Sequence, residues 1–217
     1  MENSYILQAK RRQFSDLYLC FCGYEECLPG HSFGPAVRPN YIIHCILKGK
    51  GIYRAEGATY ELGTGQGFLI EPGVQTFYQA SQTDPWTYLW IGFDGIRAAE
   101  YLAGMGLGEK RLTYRSSHGN QLYKIVQNML EHNTYTAANQ FMLEGLLYEF
   151  FSTLAEDLDV MSSCGASGGS LYVRRAVEFI QTNYVTPIRV TDIANYVCIN
   201  QRLLDVTKEA LHLGIAQ

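Results

Sequence analysis

The 217-residue sequence lacks the features that mark membrane, secreted and zinc-ribbon proteins. No run approaches the roughly 20 apolar residues that a membrane-spanning helix needs, and segment 1–12 has no apolar core of signal-peptide length. These absences predict a cytoplasmic protein with no membrane contact. The six cysteines include no Cys-x-x-Cys pair, a pattern that favours reduced core thiols over a metal cluster or disulfides.

Enzyme signatures and a strong positive charge are also missing. The sequence has no Gly-x-Ser-x-Gly elbow, no phosphate-binding Walker A loop and no dinucleotide-binding fingerprint. The formal net charge is −4, and segment 171–217 holds only five Lys/Arg against four Asp/Glu. Because binding to a phosphate backbone needs a clear basic surplus, this segment alone predicts weak affinity for DNA.

Aromatic residues, by contrast, are abundant, with 16 tyrosines and 10 phenylalanines. Between about Leu17 and Asp94, short apolar runs alternate with glycine-rich turns, a pattern typical of a β-sandwich or barrel. The predicted strands are 17–22, 41–47, 52–55, 59–62, 68–70, 76–79 and 87–93.

The pattern becomes helical after Gly95. Leu122, Ile125, Val126 and Met129 recur at the spacing of an amphipathic helix. A second predicted helix, 137–158, carries more apolar surface than one sheet face needs to cover. We therefore expect this helix pair to bury against a second copy of the chain, with simple core packing as the alternative.

A serine- and glycine-rich segment, 162–170, is predicted to be a linker. Beyond it, apolar positions predict a helix over 173–184. Thr191 is a candidate N-cap for a short helix, 192–197, and Asn200 for the helix that follows. Helix, short turn and helix form the geometry of a helix-turn-helix.

Several stretches resemble one family of regulators. Segments 49–53, 57–62, 67–73 and 86–95 resemble the cupin-type sensor domain of AraC/XylS transcription regulators, and 190–194 resembles the opening of their DNA-binding domain. The resemblance implies an α+β fold. A cupin-like (jelly-roll or double-stranded β-helix) barrel would be followed by a helix pair for dimerisation, a linker and a partial all-α helix-turn-helix domain.

The implied domains are a ligand-sensing and dimerisation domain (1–161), the linker (162–170) and an incomplete helix-turn-helix domain (171–217). Asn200, Gln201 and Arg202 would lie at the DNA. Segment 200–208 departs from the family's recognition-helix pattern, Ser-x-x-Tyr-Leu-x-Arg-x-Phe-Lys, and the family's second helix-turn-helix does not follow it. We expect DNA binding from a full-length form and doubt it for this chain.

The implied function is that of a ligand-responsive regulator, a homodimer that binds a small carbohydrate-like effector in its barrel. By resemblance, Arg38 and Trp90 contact the effector, and Tyr78 and Tyr88 line the pocket. His31 is a further candidate.

The side-chain chemistry agrees with this assignment. Trp86, Tyr88 and Trp90 alternate and would share one face of a strand. An indole packs on the C–H face of a sugar ring, and the arginine fork suits hydroxyls or anions. The alternatives are aromatics that only fill the barrel core and an Arg38 that is a solvated loop residue.

Many cupins are metalloenzymes with a recognisable set of metal ligands. They use a His-x-His pair and a later histidine, whereas this chain offers His44 alone on the first strand and Thr76 at the later position. We predict no metal, no cofactor and no catalytic residues, with His44 as a hydrogen-bonded core or strand residue. A cupin-fold enzyme acting on a small carbohydrate and a stand-alone effector-binding protein without DNA binding remain the alternatives.

Overall fold

The computed structural model describes residues 3–8, 14–108, 111–162, 176–177, 179–181, 183 and 188–196. The chain divides into two compact units, Met1–Ser162 and Ser163–Gln217. Asn200, Gln201 and Arg202 lie outside the described residues, as does most of the predicted linker. The predicted domain boundaries therefore stay a prediction.

The described part of the first unit contains ten β-strands. They are β1 (Asn3–Gln8), β2 (Tyr18–Glu26), β3 (Ser32–Val37), β4 (Tyr41–Lys48), β5 (Lys50–Ala55), β6 (Ala58–Gly63), β7 (Gln66–Ile70), β8 (Gln75–Ala80), β9 (Thr87–Asp94) and β10 (Thr113–Arg115). They form a six-stranded sheet in the order β1-β2-β9-β4-β7-β10 and a four-stranded sheet in the order β3-β8-β5-β6. The strand pairs are antiparallel, and the arrangement confirms the predicted cupin-like barrel.

The six-stranded sheet is buried on both faces. On β9, Tyr88 belongs to the cluster inside the barrel, whereas Leu89 and Ile91 belong to the cluster under the helices. On β4, Ile42 and Ile43 divide in the same way. Two-faced burial explains why these strands are almost continuously apolar in sequence, and it places every second side chain in the barrel interior.

Four helices are described with bounds: α1 (Ala98–Gly104), α2 (Gly119–Glu131), α3 (Ala137–Ser162) and α4 (Val190–Tyr196). The predicted helix pair is confirmed as α2 and α3, and α3 continues four residues past the predicted end at 158. Both helices pack on the outer face of the six-stranded sheet. Among the described residues, none of the helices combines the length and apolarity required to span a bilayer.

Helix α4 begins two residues earlier than the predicted helix 192–197. The backbone N–H of Arg189 donates to Asp192 Oδ2 at 2.9 Å, and the N–H of Asp192 donates to the Arg189 carbonyl at 3.0 Å. Arg189 therefore precedes the helix and Asp192 supplies the side chain that binds back to its N–H. The prediction that Thr191 is the N-cap was wrong, because Thr191 lies inside the first turn.

Candidate effector cavity

The barrel interior contains a cavity of about 380 Å³. It is lined by residues of β1, β2, β4, β8 and β9 and of the segment around β3: Ile6, Gln8, Phe21, Glu25, His31, Phe33, Arg38, Ile42, His44, Tyr78, Tyr88 and Trp90. All five residues predicted to contact a ligand, namely His31, Arg38, Tyr78, Tyr88 and Trp90, lie in this lining.

Aromatic side chains form one wall of the cavity. The ring centroids of Tyr88 and Trp90 are 5.5 Å apart on β9, and Tyr78 on the opposite sheet meets Tyr88 edge-on at 6.3 Å. Trp86 shares the strand face but is core, because it is 1% exposed and its Nε1 donates to the Leu62 carbonyl at 3.2 Å. The alternating aromatics along and directly before β9 therefore divide into a buried core residue, Trp86, and two wall residues, Tyr88 and Trp90.

Arg38 follows β3 directly and turns into the cavity. Its Cζ lies 3.9 Å from the centroid of the Phe33 ring, a cation–π contact that holds the guanidinium plane. Its Nε is buried and has no hydrogen-bond partner among the described residues. A buried donor without a partner is costly, so this atom is suited to an oxygen acceptor on a ligand.

His44 lies on β4 and is 2% exposed. Its ring stacks on Phe68 with centroids 4.3 Å apart. Burial and then the nearby charge of Arg38 lower the pKa of His44 to about 3, so the imidazole is neutral. The expectation of a hydrogen-bonded core residue was wrong in part, since His44 lines the cavity and its Nδ1 has no partner among the described residues.

A carboxylate in the cavity wall was not predicted. The Tyr88 hydroxyl donates to Glu25 Oε2 at 3.1 Å, and His31 Nε2 lies 3.6 Å from Glu25 Oε1. Burial and the neighbouring acidic groups raise the pKa of Tyr88, which keeps the phenol protonated as a donor. The three side chains form a fixed polar edge beside the aromatic wall.

Gly23 creates the space for Trp90. It faces Trp90 across the β2–β9 pair, and a Cβ at this position would lie 2.2 Å from Trp90 Cζ2. Any larger residue would displace the indole. A glycine in the middle of a strand signals close approach by another group, and this signal could have identified the position from the sequence.

Fold and site together define a cupin-like barrel with a partly open polar and aromatic cavity and two helices packed on its outer face. The chain belongs to the AraC-like ligand binding domain family, whose model matches residues 19–151.

Its relatives in sequence are bacterial operon regulators. The chain is 32% identical to the Msm operon regulatory protein of Streptococcus mutans over 93% of its own length and 74% of that protein. It is 31% identical to the raffinose operon transcriptional regulatory protein RafR of Pediococcus pentosaceus, over 85% of this chain and 68% of that one. It is 26% identical to the lactose operon transcription activator of Staphylococcus xylosus, over 88% of this chain and 69% of that protein.

Solved structures with a similar barrel include the protein YhaK from Escherichia coli, with a TM-score of 0.40 and 21% identity over 51% of this chain and 49% of that chain. A Cupin 2 conserved barrel domain protein from Salinispora arenicola CNS-205 is similar with a TM-score of 0.34 and 16% identity, over 48% and 83% of the two chains.

Proposed function

We propose that this chain is the effector-binding and dimerising part of a transcription regulator, and that its effector is a small polar molecule of carbohydrate type. The observation that carries the proposal is the meeting of Arg38, Tyr78, Tyr88, Trp90 and His31 in one cavity. The cavity volume of about 380 Å³ falls within the range of about 300–1,000 Å³ common to small-molecule sites.

The lining chemistry favours a polyhydroxylated ligand. The Trp90 and Tyr88 rings offer faces for C–H groups, while Arg38 Nε and His44 Nδ1 are buried polar atoms that a hydroxyl can satisfy. A fully apolar ligand would leave both atoms without partners. Two of the relatives carry names that refer to lactose and raffinose operons, which fits a sugar as the effector here.

Effector binding would act through β1, β2 and the helices. Ile6 and Gln8 of β1 lie in the cavity lining, and β1 pairs along its whole length with β2. Helix α2 packs on both strands and on α3. A ligand that prefers one position of β1 would therefore shift the population of helix arrangements, which is the form of coupling that an effector requires.

Helix α3 supplies the surface for dimerisation. Its inward side chains are buried under the sheet, whereas Phe141, Met142 and Tyr148 are 59%, 46% and 40% exposed. An apolar face of this kind on a single helix supports pairing with a second copy of the chain.

The DNA-directed part of the proposal rests on the relatives' names and on the helix-turn-helix resemblance. A regulator of this type acts on cytoplasmic DNA through effector-dependent positioning and not through catalysis. A mobility-shift assay with upstream DNA, with and without effector, tests it. If this chain forms no specific complex with the DNA, the result supports the alternative of a stand-alone effector-binding protein. A specific complex would show that segment 200–208 binds DNA despite its departure from the family pattern.

A thermal-shift screen of sugars and sugar phosphates tests the cavity. A ligand at 100 times its dissociation constant adds about 2.7 kcal/mol to the free energy of unfolding. Arg38→Ala should lose most of this response. Arg54→Ala is the matched control, because Arg54 also lies over a phenylalanine, Phe77, at 5.4 Å, but outside the cavity lining. A full response in Arg38→Ala would contradict the proposed contact.

A further inference from the structure

The turn between β2 and β3 lies at the edge of the cavity and is closely held. The N–H of His31 donates to the Leu28 carbonyl at 3.0 Å, and Gly30 has a φ of 72°, a conformation that favours glycine. The turn thus brings His31 back beside the end of β2, where Glu25 and Cys27 lie.

Three side chains of metal-binding type meet at this turn. One ligand atom each from Glu25, Cys27 and His31 lies within 4.8 Å of the other two. Metal–ligand bonds of about 2.0–2.3 Å in a tetrahedral site place ligand atoms about 3.3–3.6 Å apart. The 3.6 Å between His31 Nε2 and Glu25 Oε1 already matches this spacing. The Cys27 sulfur lies within 4.8 Å of a ligand atom of each of the other two residues.

We propose that Glu25, Cys27 and His31 bind a divalent cation with affinity for sulfur, such as Zn²⁺, and leave its fourth position open toward the cavity. A thiolate, an imidazole and a carboxylate form a ligand set that suits Zn²⁺ and Co²⁺ and does not suit Mg²⁺ or Ca²⁺. The Cys27 thiol gives its proton to the buffer as the sulfur–metal bond forms.

Burial and charge both favour occupancy by a cation. Glu25 and Cys27 are each 7% exposed, and the His31 side chain is 25% exposed, which gives an ion a path from solvent. A carboxylate and a thiolate balance the two positive charges, so the bound site is neutral, as a buried site requires. Glu25 and His31 also line the cavity, and this places the open position where a water or an effector hydroxyl can bind.

The backbone around the site is fixed before any ion binds. The Cys27 N–H donates to the Trp86 carbonyl at 2.9 Å, and the Ala80 N–H donates to the His31 carbonyl at 2.9 Å. Preorganised ligands reduce the ordering cost of binding. The site is separate from His44 and Thr76, and it does not depend on the proposed effector. Its Cys27 is one of the six cysteines whose spacing favoured reduced core thiols over a metal.

Titration of the full chain with Co²⁺, in buffer with a non-thiol reductant, tests the site. We expect saturable binding with thiolate-to-cobalt charge-transfer absorption. Cys27→Ser should abolish the charge-transfer band. Cys20→Ser, which changes a half-buried cysteine on β2, should keep it. His31→Gln changes a half-buried turn residue and should weaken Co²⁺ binding by about tenfold or more.

The result is decisive either way. Absence of the charge-transfer band in the wild-type chain overturns the proposal, as does a band that persists in Cys27→Ser. If Cys27→Ser fails to fold, His31→Gln decides, with its melting temperature compared with and without Zn²⁺. Unchanged Co²⁺ affinity and an unchanged Zn²⁺ response in this variant would contradict the site. Effector binding in the thermal-shift screen is a separate outcome, so failure of one proposal does not imply failure of the other.

Discussion

His44 is a neutral, buried histidine in the wall of the cavity. His44 has a pKa of about 3 in the folded chain against an ordinary value of 6.5. Between these values an unfolded chain takes up a proton at His44 that the folded chain does not. Stability therefore falls as the pH drops through this window.

Replacing His44 should remove this pH dependence. His44→Gln does not titrate, so we expect the difference in unfolding free energy between wild type and variant to narrow as the pH falls from 6.5 toward about 3. Urea unfolding at a series of pH values measures it. A difference that stays constant across the series would contradict the buried, neutral state of His44.

The space around Trp90 gives a second prediction at this scale. Gly23→Ala places a Cβ 2.2 Å from the indole and 2.6 Å from the Tyr5 carbonyl oxygen. We expect this substitution to displace Trp90 and to lower the affinity for any ligand found in the screen by about tenfold or more. Gly104→Ala is the control, because a Cβ there meets nothing within 4 Å. Equal ligand affinity in the two variants, measured by calorimetry, would show that Trp90 is not a contact.

A hydrogen-bond network joins helix α3 to the start of helix α2. Asp157 accepts from Ser116 Oγ at 2.6 Å, from the Ser117 N–H at 2.9 Å and from Ser117 Oγ at 2.8 Å. His118 Nδ1 lies 2.8 Å from Asp157 Oδ2. The network fixes the end of α3 against the turn that follows β10.

Asp157→Ala should cost about 1–3 kcal/mol of unfolding free energy, because several donors lose their acceptor. Glu156→Ala removes only a 3.4 Å contact to His118. It should change the free energy of unfolding by no more than about 0.5 kcal/mol. Denaturant unfolding of both variants measures the difference. Equal effects would contradict a specific role for Asp157.

The pH dependence of this loss follows from the two pKa shifts. The hydrogen bond to Asp157 raises the pKa of His118 above 6.5. The stabilisation by protonated His118 is therefore complete below pH 6.5 and is lost as the pH rises through the raised pKa. Burial alone would raise the pKa of Asp157, but hydrogen bonds from Ser116, His118 and Ser117 lower it from 3.8 to about 2. The stabilisation by Asp157 is lost as the pH falls below 3.8. The loss of unfolding free energy in Asp157→Ala should therefore be largest between pH 3.8 and pH 6.5.

The exposed face of α3 predicts the oligomeric state. The wild-type chain should sediment as a dimer at micromolar concentration, and Met142→Glu should sediment as a monomer because a charge is buried at the interface. Thr59→Glu adds the same charge on an exposed position of β6 and should remain dimeric. A monomeric wild type, or a dimeric Met142→Glu, would contradict pairing through this face.

For the molecule as a whole, the sequence predicted the barrel where burial is strongest. Seven strands were predicted correctly. Four of them, β2, β4, β7 and β9, carry apolar residues for two cores at once, whereas β5, β6 and β8 contribute to the barrel core. Strands β1, β3 and β10 were missed for physical reasons. Strand β3 contains Gly34 and Pro35 and tolerates them because it lies at the edge of its sheet. Strand β10 has only three residues, and β1 becomes a strand only by pairing with β2.

The cavity could be predicted only in part. Alternation on β9 placed Tyr88 and Trp90 on one face, and the family resemblance supplied Arg38 and Tyr78. Glu25 was missed because the predicted strand 17–22 ends before it, whereas β2 continues to Glu26, and because the register of β2 shifts between Leu19 and Phe21. Leu19 points to the helices, and simple alternation from Leu19 would send Glu25 the same way. The irregularity reverses the faces, and it is not visible from residue types.

The most direct test of an effector-binding cavity uses the two tryptophans of the chain. Trp86→Phe removes the core tryptophan and leaves Trp90, in the cavity wall, as the fluorophore. A sugar that stabilises the chain should change the Trp90 emission saturably, with the concentration dependence of the thermal shift. A stabilising ligand that leaves the Trp90 emission unchanged would contradict ligand binding in this cavity.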